Sequence, residues 1–222
     1  MNGLERSLWV AFAIILGMGV YWGFEQPQFF TNEFMREDGL VEYATVVLLL
    51  AGCVLTFVRW LKHRAGSEWT FTLISWLIIL VFFFVAGEEL SWGQRIFDLQ
   101  TTEYFKENNA QEELNLHNLT VGGVKINKLV FGLILTTLIM IYIVLVPILY
   151  WKVPWIGKKL DDWYIPIPQW WQSAGYLVLT LLISIIPASK NWELLEFGSV
   201  MVFFLILLNP RNKQVLEPSH NL

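Results

Sequence analysis

Residues Thr70 to Gly87 read TFTLISWLIILVFFFVAG, an unbroken apolar stretch with no charged side chain. Strands of globular sheets run about five or six residues, so this stretch is too long and too uniformly apolar to be one. Coiled as a helix it matches the length that crosses a bilayer. Only a helix or a closed barrel satisfies its backbone in lipid. Five further runs share this character: Leu8–Phe24, Leu40–Trp60, Leu129–Tyr150, Trp170–Pro187 and Leu194–Asn209. The last is short and needs local thinning or flanking anchors to match about 30 Å of hydrocarbon. The expected fold is all-α, an integral membrane bundle of about six transmembrane helices. It forms a single domain over residues 1–222, with a long outer loop between the third and fourth spans.

Composition points the same way. The chain has 222 residues, 55% hydrophobic and only 15% charged, where soluble domains carry about 25% charged residues. Mean hydropathy is +0.51. Six runs of roughly 20 residues leave no room for a large extramembrane domain. The lone Cys53 excludes a disulfide framework or a cysteine-rich zinc site. A net charge of −4 gives no reason to expect nucleic acid. The first run follows one basic residue and is not followed by a small-x-small cleavage site, so it reads as a retained helix.

Charge near the span ends sets the expected orientation. With the chain starting inside, the inner set is Arg6, Arg59, Lys62, Arg64, Lys152, Lys158, Lys159, Arg211 and Lys213, facing only Glu5, Glu68, Asp161, Asp162 and Glu217. The outer set holds Arg36, Arg95, Lys106, Lys125, Lys128 and Lys190 beside all the remaining acids. Both termini are thus expected in the cytoplasm. Tryptophans agree: Trp60, Trp69, Trp151, Trp155, Trp163, Trp170 and Trp171 mark the inner boundary, and Trp22, Trp92 and Trp192 the outer. The inner loop Trp151–Gln169 carries Pro154, Pro166 and Pro168, so it is expected to be irregular or briefly helical. Gly19 and Gly23 have the spacing of close helix packing.

That orientation gathers the unusual polar residues on the outer side. Asp38 and Glu42 open the second span, Glu88 and Glu89 close the third, and Glu193 and Glu196 open the sixth. Acids near the hydrocarbon boundary usually face a bundle interior or a water-filled cavity. The segment Gly87-Glu-Glu-Leu-Ser-Trp-Gly-Gln-Arg-Ile-Phe97 is the densest. If the helix continues, Glu88, Ser91, Trp92 and Arg95 share a face, and Arg95 is placed to pair with Asp98. In Asn108-Asn-Ala-Gln-Glu-Glu-Leu-Asn-Leu-His-Asn118, polar residues alternate. Extended or helical, the segment turns Glu113 and His117 the same way, as suits a divalent metal ion or a general-base pair. His63 and His220 lie elsewhere and are expected to be inert. No di-iron motif, phosphate loop or nucleophile elbow is present.

These two segments, with Glu37-Asp38-Gly39 and Glu42, resemble an uncharacterised family of bacterial multi-pass membrane proteins. That likeness covers about a quarter of the chain and implies a multi-pass protein of the cytoplasmic membrane without implying an activity. A fainter likeness is to the CAAX-type intramembrane proteases. It rests on Glu88-Glu89, but Arg95 follows after five residues instead of three, and no second membrane-level histidine accompanies His117. Nothing is carried over from it.

The expectation is a membrane-embedded hydrolase or transferase acting on a lipid or lipid-linked substrate at the outer face. Glu88, Glu89 and His117 would be catalytic; Glu113 and His117 would hold a divalent metal. Arg95, Gln94, Asn118, Glu42 and Glu196 would contact substrate, Arg95 holding an anionic headgroup. The competing expectation is a non-catalytic subunit or scaffold with membrane-protein partners. A cation or proton carrier ranks lower, because past Glu42 and Glu196 the spans offer only scattered Thr and Ser.

Overall fold

The computed structural model describes residues 3–121, 124–125 and 134–217. The expected start of the fourth span at Leu129, with Lys128 and His220, lies outside these residues. The architecture is helical. α1 (Gly3–Glu25) leads through the short α2 (Pro27–Phe29) and a π turn at Phe30–Phe34 into α3 (Leu40–His63) and α4 (Trp69–Glu89). The outer loop carries α5 (Glu103–Asn108) and a minimal antiparallel pair, β1 (Thr120–Val121) with β2 (Val124–Lys125). There follow α6 (Leu135–Met140), a π turn at Ile141–Leu145, α7 (Val146–Lys152), α8 (Pro154–Asp162), α9 (Trp170–Ser184), α10 (Asn191–Leu208) and α11 (Lys213–Leu216).

Among the described residues, five stretches are long and apolar enough to cross a membrane: Gly3–Glu25, Leu40–His63, Trp69–Glu89, Leu135–Lys152 and Asn191–Leu208. Where Leu194–Asn209 was expected to be the short run, α10 starts earlier, at Asn191, and reaches 18 residues. The short helix is α9, with 15 residues, or about 22 Å at 1.5 Å per residue. The inner loop, expected to be irregular or briefly helical, holds the nine-residue α8, with Pro154 in its first turn where the missing N–H costs nothing.

α10 is the central element, with Leu194, Val202, Leu205 and Ile206 fully buried. Its neighbours α1, α3 and α9 wrap it, and α4 packs chiefly on α3. Small residues permit the close approach. A Cβ on Gly19 would sit 2.5 Å from Leu194, and Gly23 abuts Ile186, so the Gly19/Gly23 pair serves packing within this chain. Val10, Ile14, Val47, Val54, Leu80, Phe83, Leu138 and Leu181 all point outward. So much exposed apolar surface is the expected face toward lipid.

Polar side chains tie the helix ends opposite the outer loop. Glu5 is fully buried, accepting from Trp171 Nε1 at 2.9 Å and Asn209 Nδ2 at 2.8 Å. Gln172 Nε2 donates to the Leu205 carbonyl at 2.9 Å, and Arg59 donates to that of Leu207 at 2.7 Å. Both carbonyls lie in the last turn of α10, where helical donors run out; that of Leu205 also takes the Asn209 N–H at 3.0 Å.

Candidate functional site

Helix α4 stops at Glu89 because the chain turns left-handed at Ser91 (φ 45°), Trp92 (φ 54°) and Gly93 (φ 79°). Only glycine enters this region without steric cost, so the other two are held there by side-chain bonds. The Trp92 indole N–H donates to Glu88 Oε1 at 2.7 Å, and the Ser91 hydroxyl donates to Glu113 Oε2 at 2.8 Å. The expected helical face through Glu88, Ser91, Trp92 and Arg95 therefore does not form. Nor does Arg95 pair with Asp98; its guanidinium bridges Asp38 and Glu113.

The segment 109–118 is neither an extended strand nor a helix. It is a series of turns organised by two buried asparagines. Asn109 Oδ1 accepts the N–H groups of Gln111 at 2.9 Å and Glu113 at 3.2 Å, and its Nδ2 donates to the Asn115 carbonyl at 2.9 Å. Asn115 Nδ2 donates to Glu113 Oε2 at 2.6 Å and to Ser91 Oγ at 3.0 Å. Both ends of Gln94 are engaged: Oε1 accepts the Leu114 N–H at 2.6 Å, and Nε2 donates to Thr101 at 2.7 Å.

Glu88 is only 3% exposed, and its Oε2 accepts the N–H groups of Leu116 at 2.6 Å and His117 at 3.0 Å. His117 Nδ1 lies 3.7 Å from the same oxygen. Glu88 and Gln94 thus clamp the loop onto the end of α4. Successive helical residues project about 100° apart, so the adjacent Glu89 turns away, toward α10, and shares a cleft with Glu196.

Beside this clamp lies an open cleft. Glu42, Glu89, Glu193, Glu196 and Trp192 reach it from α3, α4 and α10; Glu37, Arg95, Gln111, Glu113, His117 and Asn118 reach it from the loops. Asn118 Nδ2 donates to Gln111 Oε1 at 2.5 Å. Glu37 is neutralised by Lys190 at 3.2 Å. Glu42 reaches back from the first turn of α3 to accept the Asp38 N–H at 2.9 Å, a cap-like contact. Among the described residues, no basic side chain forms a salt bridge with Glu42, Glu89, Glu193 or Glu196.

Comparison with known proteins supplies no analogy. No known family, curated protein or solved structure matches this chain. Function must be read from the site's own chemistry.

Of the residues expected at the site, Glu42, Glu89, Arg95, Glu113, His117, Asn118 and Glu196 line the cleft together. Glu113 and His117 both touch it, but they serve different partners. Glu113 takes donors from Ser91, Asn115 and Arg95, while His117 stands by Glu88. Among the described residues, no three His, Cys, Asp or Glu side chains stand together as a metal-holding group. The sequence reading gave no site role to Glu37 or Glu193, and it treated Trp192 as an interfacial anchor. The polar alternation marked Asn109 and Asn115, but not that they build the loop.

Proposed function

We propose that this chain is a membrane-embedded hydrolase or transferase acting on a lipid or lipid-linked substrate at the outer face of a bacterial cytoplasmic membrane. In this reading α9 counts as a sixth span and both termini are cytoplasmic, as the unequal charge at the two ends supports. The observation that carries the reading is the meeting of Glu42, Glu89, Glu193 and Glu196 with His117 in one cleft at the helix ends. A cleft at that depth receives a headgroup laterally from the bilayer.

Glu89 and Glu196, side by side in the cleft, suit proton exchange, one carboxyl as acid and the other as base. His117, oriented by Glu88, is the second proton carrier. In hydrolysis, water forms the new bond to the acyl carbon or phosphorus while a carboxylate takes its proton. The bond to the leaving oxygen breaks as that oxygen is protonated. A transferase would use an acceptor hydroxyl in place of water. Arg95 is already shared by two carboxylates, so the surroundings favour a headgroup carrying positive charge over the anionic one expected. A divalent metal at Glu113 and His117 is the weaker version, because Glu113 already accepts three donors.

The test is incubation of the purified protein with a membrane lipid extract, followed by mass spectrometry of the lipids. Elemental analysis of the protein and of its Glu113→Gln/His117→Ala variant accompanies it. Turnover that is lost in Glu89→Gln and His117→Ala supports the proposal; no lipid altered by the wild type overturns it. Stoichiometric metal lost in the double variant would restore the metal version.

The second reading, a subunit or scaffold of a membrane complex, draws on the engagement of Glu88, Gln94, Asn109, Glu113 and Asn115 within the chain itself. It predicts no lipid turnover and a co-purifying membrane protein. Carriage of cations or protons has less support, since the middle of each span carries no charged side chain.

A further inference from the structure

At the opposite end of the bundle, α8 has one face committed to the protein and one face open. On the committed side, Asp161 accepts from Tyr150 Oη at 3.0 Å and Asn212 Nδ2 at 2.8 Å. The Asp162 carbonyl accepts from Thr70 Oγ1 at 3.2 Å, and Gly157 is buried against the Tyr150 carbonyl. On the open side are Trp155, Lys158, Lys159 and Asp162, all exposed and spaced i, i+3, i+4 and i+7, which is one helical face. Trp155 is 71% exposed. The preceding turn adds exposed Trp151, with the Lys152 ammonium 4.4 Å from its ring centre.

The surface is net basic, with Lys152, Lys158 and Lys159 set against Asp162. Among the described residues, none of Lys152, Lys158, Lys159, Arg64 or Arg211 forms a salt bridge. At the cleft end, by contrast, Arg95, Lys106 and Lys190 are all paired. Basic side chains interleaved with exposed tryptophans on a short amphipathic helix fit the headgroup region of a bilayer, ring in the acyl boundary and ammonium at the phosphate. We propose that the open face of α8, with Lys152 beside it, is a docking surface for acidic phospholipids. The pinned side holds α8 at the bilayer surface, and the lipid phosphates supply the ion-pair partner that Lys152, Lys158 and Lys159 lack among the described residues. This inference is independent of any chemistry at the cleft.

The experiment uses the full chain in neutral detergent, titrated with brominated phosphatidylglycerol and brominated phosphatidylcholine. Quenching of tryptophan fluorescence gives the preference for the acidic lipid. The wild type should prefer phosphatidylglycerol, and the preference should fall steeply as salt is raised. Removing lysines should reduce it by about fivefold each, so Lys158→Gln/Lys159→Gln and the triple variant with Lys152→Gln should lose it progressively. Lys158→Arg/Lys159→Arg and a distant Lys106→Gln should keep it. A wild type without preference, or a salt-insensitive one, overturns the proposal. So does a double Gln variant of unchanged melting temperature that retains the full preference.

Discussion

The hydroxyl of Ser173 in α9 donates to the carbonyl of Ile143 at 2.6 Å, and that carbonyl is the one Pro147 leaves without its helical donor. Proline lacks an N–H and its ring crowds the carbonyl four residues back. The chain answers by widening into the π turn Ile141–Leu145, a common response to a break in the hydrogen-bond ladder. In an apolar setting the freed carbonyl needs a new donor, and α9 supplies it.

Ser173→Ala should therefore strand a fully buried carbonyl and destabilise the bundle by about 1–3 kcal/mol. Adding Pro147→Ala restores an N–H at the right position and should recover part of that loss. Unfolding of the single and double variants in detergent checks the expected non-additivity; fully additive effects would mean that Ser173 acts on something other than this carbonyl.

Gln94→Ala removes the acceptor for the Leu114 N–H without touching the cleft carboxyls. Loss of one such bond corresponds to about 1 kcal/mol of local stability. Amide exchange around Leu114 should quicken roughly fivefold to tenfold, while exchange in α10 stays as in the wild type.

Why some of this was legible in the chain and some was not follows from what a hydropathy run encodes. Thr70–Gly87 announces a helix in lipid because no other structure buries its backbone there, and α3, α4 and α10 begin or end within a few residues of the expected positions. Depth along the bilayer followed at once, so Glu42, Glu89 and Glu196 were placed at one level. Rotation did not: that Glu88 faces the loop and Glu89 faces α10 depends on which sides of α4 are covered, a tertiary fact. The left-handed turn at Ser91 and Trp92 was hidden for the same reason, since neither residue favours it and the distant Glu113 and Asn115, with Glu88, hold it in place. Arg59 and Glu5 read as inner-side charges near span ends, yet both are buried, Arg59 on the Leu207 carbonyl and Glu5 between Trp171 and Asn209.

Arg59 leads to a pH dependence. Burial pushes the Glu217 carboxyl up, but the hydrogen bonds and charge of Arg59, with the charge of Lys213, outweigh it and hold the group below its ordinary range. A carboxyl depressed in the folded state stabilises the fold above its unfolded pKa, and that contribution disappears as pH falls through the folded value. Glu217→Gln should cost about 1–2 kcal/mol near neutral pH, given that Arg59 is buried and its partner is partly exposed. The difference between variant and wild type should shrink below the ordinary glutamate range, near pH 4.3 and under. Unfolding midpoints across that range decide it; a constant difference at every pH would detach Glu217 from the ion pair.

The neighbouring glutamates at the end of α4 should separate structure from chemistry. Glu88 carries the loop through Leu116, His117 and Trp92, so Glu88→Gln replaces an acceptor with a donor against N–H groups. It should speed amide exchange at 116 and 117 as well as disturb any activity. Glu89 makes no such backbone contact and meets Glu196 across the cleft. Glu89→Gln keeps the shape while removing the titratable carboxyl. Loop exchange should then match the wild type, while lipid turnover falls by about 10²–10⁴-fold, the usual worth of a general acid or base. Loss of turnover with a loosened loop in both variants would reduce Glu89 to a structural role. Unchanged turnover in Glu89→Gln would remove the carboxyl pair from the chemistry and leave the acid–base work to His117.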